Sequence, residues 1–226
     1  FSSRFANVSV EDFVENYIIK NNVKEVIAGF DFTFGKFGKG NMTVLQEYDA
    51  FNTTIVSKQE IENEKISTTS IRQDLINGEL QKANDALGYI YSIKGTVVQG
   101  EKRGRTIGFP TANIQPSDDY LLPRKGVYAV SIEIGTENKL YRGVANIGVK
   151  PTFHDPNKAE VVIEVNIFDF EDNIYGERVT VNWHHFLRPE IKFDGIDPLV
   201  KQMNDDKSRA KYLLAVDFGD EVAYNI

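Results

Sequence analysis

The sequence predicts an α/β segment over residues 1–87, followed over residues 88–226 by a mainly-β antiparallel barrel with a C-terminal helix. Helix-like and strand-like stretches alternate up to Leu87, which is typical of α/β folds. After Gly88 the chain becomes a series of stretches rich in β-branched and aromatic residues. Gly, Pro, Asn and Asp separate these stretches, as they do in a closed antiparallel sheet. We therefore place a domain boundary near Leu87.

Capping residues and glycines predict the helices of the first segment. Ser9 can cap one helix, because its hydroxyl can accept from an amide of the first turn. Ser67-Thr-Thr-Ser70 can start another that ends at Gly78, and a helix from Glu79 would stop at Gly88. The other expected elements are a buried parallel strand at Val23–Phe30, a glycine- and aromatic-rich loop at Phe32–Gly40, a helix capped by Asn41 and a strand at Thr53–Ser57.

Five strands and one helix are expected in the second segment. Asp197-Pro198 supplies a cap and a first turn for the helix. Its apolar face is formed by Leu199, Met203, Ala210, Leu213 and Leu214. The strands are expected at Tyr89–Gln99, Gly126–Ile134, Leu140–Gly148, Val161–Phe170 and Arg178–His184.

Composition indicates a globular protein that acts on small molecules. The chain has 226 residues, 41% of them hydrophobic and 26% charged, with a net charge of -7. The acidic balance argues against nucleic acid or anionic membrane as a partner. The absence of cysteine excludes disulfides and thiolate metal sites. We expect a cytoplasmic location, since no apolar run or secretory signal is evident, and we expect sequence upstream of Phe1, which is not Met.

A basic, glycine-rich loop leads into two polar residues, Thr111 and Asn113. In an extended segment the spacing of two places both side chains on one face. Backbone amides and the loop cations can hold phosphates, while the Thr and Asn oxygens suit a hard cation. The alternative is a solvated hairpin followed by an ordinary edge strand. The loop residues concerned are Gly100, Lys102, Arg103, Gly104 and Arg105.

Glu164 is the carboxylate that we single out in the second segment. Along Val161–Phe168 the odd positions are all aliphatic, so Glu164 lies on the opposite face, beside Asn166 and Phe168. An exposed glutamate on a sheet surface is the commoner reading of such a pattern. Phe168 on the same face indicates that this face is at least partly covered.

Several strings of the second segment resemble, in order, those of riboflavin kinases. They are Arg103-Gly-Arg-Thr-Ile-Gly-Phe-Pro-Thr-Ala-Asn113, Gly126-Val-Tyr-Ala-Val130, Gly143-Val-Ala-Asn-Ile-Gly-Val-Lys-Pro-Thr-Phe153, Ile163-Glu-Val-Asn-Ile-Phe-Asp-Phe170, Ile174-Tyr-Gly176 and Phe186-Leu-Arg-Pro-Glu-Ile-Lys-Phe193. The resemblance covers roughly residues 88 to 226. It implies phosphorylation of riboflavin to FMN with ATP and Mg²⁺.

The resemblance also implies roles for individual residues. Thr111 and Asn113 would hold Mg²⁺ and the ATP phosphates, and the catalytic Glu164 would activate the ribityl 5′-hydroxyl of the flavin. The basic loop would close over the nucleotide, near Tyr175. Arg188 and Glu190 would border the flavin, although they also read as a surface ion pair. The family's usual Glu-Thr-His is Glu164-Val-Asn166 here, which alters the contacts beside the carboxylate.

Two strings of the first segment resemble bacterial FMN adenylyltransferases, which have a Rossmann-like nucleotidyltransferase domain. They are Ile27-Ala-Gly-Phe-Asp-Phe-Thr-Phe-Gly-Lys-Phe-Gly-Lys-Gly-Asn41 and Ile66-Ser-Thr-Thr-Ser-Ile-Arg72. Hydroxyls at a helix start can bind phosphate, although an ordinary N-cap explains them too. The residues concerned are Asp31, Phe32, Asn41, Ser67, Thr68, Thr69 and Arg72.

Together the two segments resemble the bifunctional prokaryotic riboflavin kinase/FMN adenylyltransferase family, also called FAD synthetase. The family's His-x-Gly-His nucleotide-binding loop is missing from this sequence. We therefore expect an incomplete adenylyltransferase domain, no adenylyl transfer by this chain alone, and an intact kinase. The intact parent would convert FMN further to FAD.

Other functions are weaker readings. A non-catalytic flavin carrier or sensor would keep the pocket without turnover. An RNA-binding barrel would need a broad basic stripe, which the acidic balance opposes. The chain has three histidines, His154, His184 and His185, which we interpret as structural or solvated. Adjacent strand residues point to opposite faces, so His184 and His185 are poorly placed to chelate one metal. No residue set supports a nucleophilic hydrolase.

Overall fold

A computed structural model describes residues 2–61, 64–101, 103–135, 139–151 and 159–220. The chain divides into two compact units, Phe1–Ile66 and Ser67–Ile226. The division lies before the two helices that the sequence analysis places between Ser67 and Gly88. These helices fall in the second unit because the second of them packs on the barrel. The domain boundary near Leu87 therefore stays a prediction from sequence. None of the described helices is long and apolar enough to span a bilayer.

The first unit has short elements around a small apolar cluster. Val14, Phe34 and Leu45 lie at its centre, with the Phe13 ring 4.8 Å from that of Phe34. A π-helix at Val14–Ile19 continues the second helix, and Lys36–Gly38 form a 3-10 turn. The labelled elements are α1 (Ser3–Ala6), α2 (Val10–Phe13), β1 (Glu25–Gly29), β2 (Thr33–Phe34), β3 (Gly40–Asn41), α3 (Met42–Leu45), β4 (Asn52–Val56), β5 (Glu60–Ile61) and β6 (Glu64–Lys65).

The predicted caps of this unit are confirmed. Ser9 Oγ accepts from Asp12 N at 3.0 Å, and Asn41 Oδ1 accepts from Val44 N at 3.0 Å. β1 pairs with β4 in parallel, as expected. The prediction that this strand is buried was wrong, since Ile27 is 61% exposed. The segment expected to be a loop up to Gly40 contains the β2–β3 pair.

The second unit begins with two helices, α4 (Thr68–Asn77) and α5 (Leu80–Leu87). Ser67 caps α4 through a capping box with Ser70, and Gly78 ends it at φ +83°, where a side chain would be strained. The elements that follow are β7 (Ser92–Val98), α6 (Arg103–Thr106), β8 (Ala112–Pro116), β9 (Gly126–Ile134), β10 (Lys139–Pro151), β11 (Ala159–Ile167), β12 (Arg178–Arg188) and α7 (Ile196–Asp217).

Strands β7 to β12 form a closed antiparallel barrel in the order β10-β11-β8-β7-β12-β9. The sequence predicted five of these strands but did not list β8, which is short and ends at Pro116. Alternating residues fill the barrel interior with large side chains, among them Trp183, Tyr128, Ile132 and Ile163, all at most 1% exposed. The interior is therefore a packed core.

Helix α7 covers part of the outer face of the barrel. Ala210 and Leu214 pack against Val127, Ala129 and Leu187, whose side chains point away from the interior. The apolar face predicted for this helix is confirmed. Its start differs from the prediction, because it begins at Ile196 after Gly195, and no side-chain cap is formed.

A β-bulge changes the orientation of the two neighbouring histidines. The register of β12 against β9 shifts between Trp183 and His185. His184 Nδ1 lies 3.3 Å and His185 Nε2 2.8 Å from the same oxygen of Asp217, at the end of α7. The expectation that the two rings point to opposite faces was therefore wrong. Both rings hold the helix end, and Ser131 Oγ lies 2.9 Å from His184 Nε2.

This Ser–His–Asp arrangement is structural. Ser131 is 2% and His184 8% exposed, so a substrate carbonyl could not approach the hydroxyl. Burial lowers the pKa of His184; the neighbouring Asp217 carboxylate opposes that shift, and His185 and Arg142 add to it. His154 lies outside the described residues.

The buried His184 predicts a pH-dependent stability. Its pKa is below the 6.5 of the unfolded chain, so folding favours the neutral ring. This contribution is complete above about pH 6.5 and is lost as the pH falls toward the lowered pKa. We expect the free energy of unfolding, from urea titrations at about pH 7.5 and 5.5, to fall more for the wild type than for His184→Asn. An equal fall in both proteins would contradict this prediction.

Candidate functional site

Strand register brings the predicted polar residues together on the outer wall of the barrel. Glu164 on β11 lies opposite Asn113 on β8 and opposite Asn146 on β10. The residues on either side of Glu164 are the buried Ile163 and Val165, which face the interior. The predicted aliphatic face is thus the core face for these residues, and Glu164 is half-buried on the outside.

Glu164 opens into a cleft of about 410 Å³ between the barrel wall and α7. Thr111, which we expect at the metal and the nucleotide, and Arg188 and Glu190, which we expect at the flavin, line the same cleft. Asn113 is 8% exposed and is not among the lining residues. The cleft walls are otherwise mostly apolar, formed by Ile107, Phe109, Val127, Val144, Ile191, Phe193, Leu199 and Met203.

Thr111 also lines a second cleft, of about 570 Å³, at one end of the barrel. Val97, Val165 and Ile167 of the interior form its floor, and residues 170–175 form one side. Tyr175 and Arg105, both predicted near a nucleotide, line this second cleft and not the first. Thr111 therefore stands where the two clefts meet.

The basic loop is partly helical and packs closely on this junction. Residues Arg103–Thr106 form α6, where the sequence indicated a loop. A Cβ atom on Gly100 would lie 2.1 Å from Asn113 Nδ2, and one on Gly104 would lie 2.2 Å from Phe109 O. Both glycines are therefore required for the close approach. Lys102 and the side chain of Arg103 lie outside the description.

Asn166 replaces the histidine of the family pattern and has a definite contact. Its Nδ2 donates to Pro110 O at 2.7 Å, which ties β11 to the residue before Thr111. The sequence placed Asn166 beside Glu164, and the structure adds that it holds the neighbouring segment in place.

Arg188 forms a different ion pair from the one the sequence suggested. Its guanidinium binds Asp206 of α7, with Nη2 2.7 Å from Oδ2, and not the nearby Glu190. Glu190 Oε1 lies 3.5 Å from Asn146 Nδ2 instead. The prediction of a surface ion pair between Arg188 and Glu190 was therefore wrong. Both residues line the outer cleft, and their contact with a flavin stays a prediction.

Residues that the sequence analysis did not assign to the site complete it. They are Glu101, Asn146, Asp206 and Lys207, together with the apolar residues of α7 and of the segment after β12. Glu101 follows directly on the loop that we had singled out. The helix residues recur at positions 199, 203, 206 and 207, the spacing of one helix face, but sequence alone assigned that face to the core.

The residues that resemble an adenylyltransferase are divided between the two units. In the first unit Asp31 pairs with Lys65, which lowers the pKa of Asp31 through their hydrogen bond, and Asn41 caps α3. Phe32 stacks with Phe34 at 5.8 Å. In the second unit Ser67 caps α4, whose exposed first residues include Thr68, Thr69 and Arg72. The local contacts are those of capping and packing.

No described group of three His, Cys, Asp or Glu side chains is arranged to hold a metal ion. Thr111 and Glu164 offer oxygens in the outer cleft, and the buried Asn113 lies opposite Glu164 on the neighbouring strand but lines neither cleft. Such neutral and acidic oxygens suit Mg²⁺, which takes few protein ligands and binds partly through phosphates. The donor set therefore fits a magnesium–nucleotide complex.

Comparison with known proteins identifies the family of both segments. A riboflavin kinase model matches residues 87–214, and an FAD synthetase model matches residues 1–70. Two proteins named bifunctional riboflavin kinase/FMN adenylyltransferase are each 46% identical to this chain. The one from Listeria monocytogenes aligns with 95% of this chain and 68% of its own length, and the one from Bacillus subtilis with 93% and 66%.

A solved structure is similar over both units. It is a Streptococcus pneumoniae protein described as a macrolide-efflux protein, with a TM-score of 0.85 and 41% identity over 93% of this chain and 67% of that one. The chain thus spans about two thirds of the length of the relatives it matches. On its sequence, its six-stranded barrel and these matches, the chain belongs to the bifunctional riboflavin kinase/FMN adenylyltransferase family.

Proposed function

We propose that this chain phosphorylates riboflavin to FMN with ATP, and that the transfer occurs where the two clefts meet at Thr111. The observation that carries the proposal is the position of Glu164. It lines the outer cleft beside Thr111, and it does not line the cleft at the barrel end. The general base must contact the alcohol that accepts the phosphoryl group. It therefore belongs in the cleft that binds riboflavin and not in the cleft that binds the nucleotide.

The outer cleft suits riboflavin. Its volume of about 410 Å³ lies within the range of small-molecule sites. Apolar side chains such as Val127, Phe193 and Met203 can cover a flat aromatic ring, and Asn146 and Arg188 can bind its polar edge. With the ring against α7, the ribityl chain would extend toward Glu164 and Thr111.

The cleft at the barrel end suits the nucleotide. Arg105 can neutralise phosphate charge, and Tyr175 can cover a base or sugar. Amides of the basic loop can bind phosphate oxygens, since Gly100 and Gly104 allow the backbone to approach closely. Thr111 and Asn113 would hold Mg²⁺, which supplies charge neutralisation for the phosphates when bound.

The residues then have separate parts in the transfer. Glu164 accepts the proton of the ribityl 5′-hydroxyl as that oxygen forms a bond to the γ-phosphorus. The bond from the γ-phosphorus to the oxygen that bridges it to the β-phosphate breaks, and ADP leaves. Asn166 holds Pro110, and with it Thr111, beside the carboxylate. Most of the rate enhancement comes from positioning and charge neutralisation.

A flavin carrier is the alternative function. It would need the outer cleft, but not a second cleft that shares Thr111 with it, nor a carboxylate beside that hydroxyl in the outer cleft. In the full-length protein we propose that FMN is converted further to FAD, because residues 1–70 match the FAD synthetase model. A cytoplasmic enzyme without nucleic-acid partners is in keeping with ATP as substrate and with the acidic balance.

We expect Glu164→Gln to lower kcat for FMN formation by about 10²- to 10⁴-fold, because the amide cannot take the proton. Riboflavin affinity should change little, since the amide keeps the size of the carboxyl group. The measurement is an assay with ATP and riboflavin, with and without Mg²⁺, in which FMN and FAD are separated chromatographically. Flavin binding is measured in parallel by fluorescence.

Glu177→Gln is the matched control, because Glu177 is exposed and lines neither cleft. Its turnover should equal that of the wild type. If the wild type binds riboflavin without forming FMN, the chain is a carrier. If Glu164→Gln keeps full turnover, Glu164 is not the base.

We expect Gly100→Ala to reduce kcat by at least about tenfold while the protein stays folded. The new methyl group would collide with the Asn113 amide, which must shift together with the loop. Gly108→Ala is the control in the same loop, because nothing lies within 4 Å of its Cβ position and only its positive φ is unfavourable. Equal activity of both variants would contradict the role of this close approach. Turnover and circular dichroism are compared.

A further inference from the structure

We propose that Asp206 is a positioning residue for riboflavin, which acts by fixing the guanidinium of Arg188 in the wall of the outer cleft. The inference rests on the proposed function and adds to it a residue of α7 outside the matched motifs. It is carried by an ion pair between the end of β12 and the middle of α7.

The contacts of Arg188 are numerous enough to fix its plane. Its Nε lies 3.0 Å from both carboxylate oxygens of Asp206, and its Nη2 lies 2.7 Å from Oδ2. Its Nη1 donates to Pro189 O at 3.0 Å. A guanidinium has five N–H groups, and the described contacts use one on each nitrogen. One N–H on Nη1 and one on Nη2 stay available for other acceptors.

Asp206 is itself held in place. It is 5% exposed, and Gln202, one turn earlier, donates to its Oδ1 at 3.0 Å. The side chain of Arg188 is 18% exposed. A charged pair that is this well buried and bonded has little freedom to rotate, so the carboxylate sets where the guanidinium points.

Both partners line the outer cleft, together with Phe193, whose ring centroid lies 5.9 Å from the guanidinium carbon. A flat cation held beside an aromatic ring suits a flat heteroaromatic ligand with carbonyl acceptors, which is the chemistry of the flavin ring. The described hydrogen bonds of Asp206 go to Arg188 and Gln202, and none goes to Thr111 or Glu164. Asp206 should therefore affect binding of the flavin and not the chemical step.

The test is the riboflavin dissociation constant of Asp206→Asn, measured by flavin fluorescence without ATP, beside the steady-state constants. We expect the Kd and KM for riboflavin to rise about tenfold, which corresponds to a loss of one well-placed contact. The kcat and the KM for ATP should stay within about twofold of the wild type. Asp205→Asn is the matched control, because Asp205 is the neighbouring, exposed carboxylate.

A second background separates positioning from general stability. Arg188→Lys removes the planar guanidinium that Asp206 holds. If Asp206 acts through Arg188, adding Asp206→Asn to this variant should not raise the riboflavin Kd further. Should Asp206→Asn not fold, Asp206→Glu keeps the charge and moves the guanidinium, and its Kd should also rise several-fold.

Each outcome has one meaning. An unchanged riboflavin Kd in the folded Asp206 variant, or an equal rise in the Arg188→Lys background, overturns the inference. A rise in the Asp205 control as large as that in Asp206→Asn overturns it too. Absence of FMN formation by the wild type overturns the proposed function instead, because the binding measurement does not depend on turnover.

Discussion

The alternation of side chains along β8 and β11 is the constraint on which the site depends. In a closed barrel each strand sends every second residue into the core, and the others point outward. Ile163 and Val165 face inward, which places Glu164 outside, opposite Asn113. A slip of one residue would put the carboxylate into an aliphatic core at a cost that folding does not tolerate. The core and the outward pair of Glu164 and Asn113 are therefore specified by the same pattern.

Because one alternating pattern specifies both the core and the outward residues, much of the candidate site could be predicted from sequence. The alternation around Glu164 and the caps at Ser9, Asn41 and Ser67 are local patterns. Each depends on residues only a few positions apart, whose geometry follows from strand or helix periodicity. For these features the structure agrees with the sequence.

The features that sequence did not predict depend on irregular backbone or on distant partners. The bulge after Trp183 turns two adjacent histidines toward one carboxylate, which regular alternation forbids. Arg188 lies two residues from Glu190 but pairs with Asp206, because α7 returns across the end of β12. Neither the bulge nor this ion pair produces a periodic pattern in the sequence. Strand β8 was missed for a related reason, since its five residues include Pro116 and carry little β-propensity.

The packed interior also explains why α7 belongs to the site. Trp183 and Tyr128 fill the barrel, so a ligand of flavin size has no room inside, and the flavin site that we propose lies on the outer wall. A single sheet face cannot enclose a ligand, and a second layer is needed to exclude water. Helix α7 supplies that layer, with Leu199 and Met203 facing the cleft while Ala210 and Leu214 pack on the barrel. Its far end is held by His184 and His185, so the contacts that stabilise the helix also maintain the cleft.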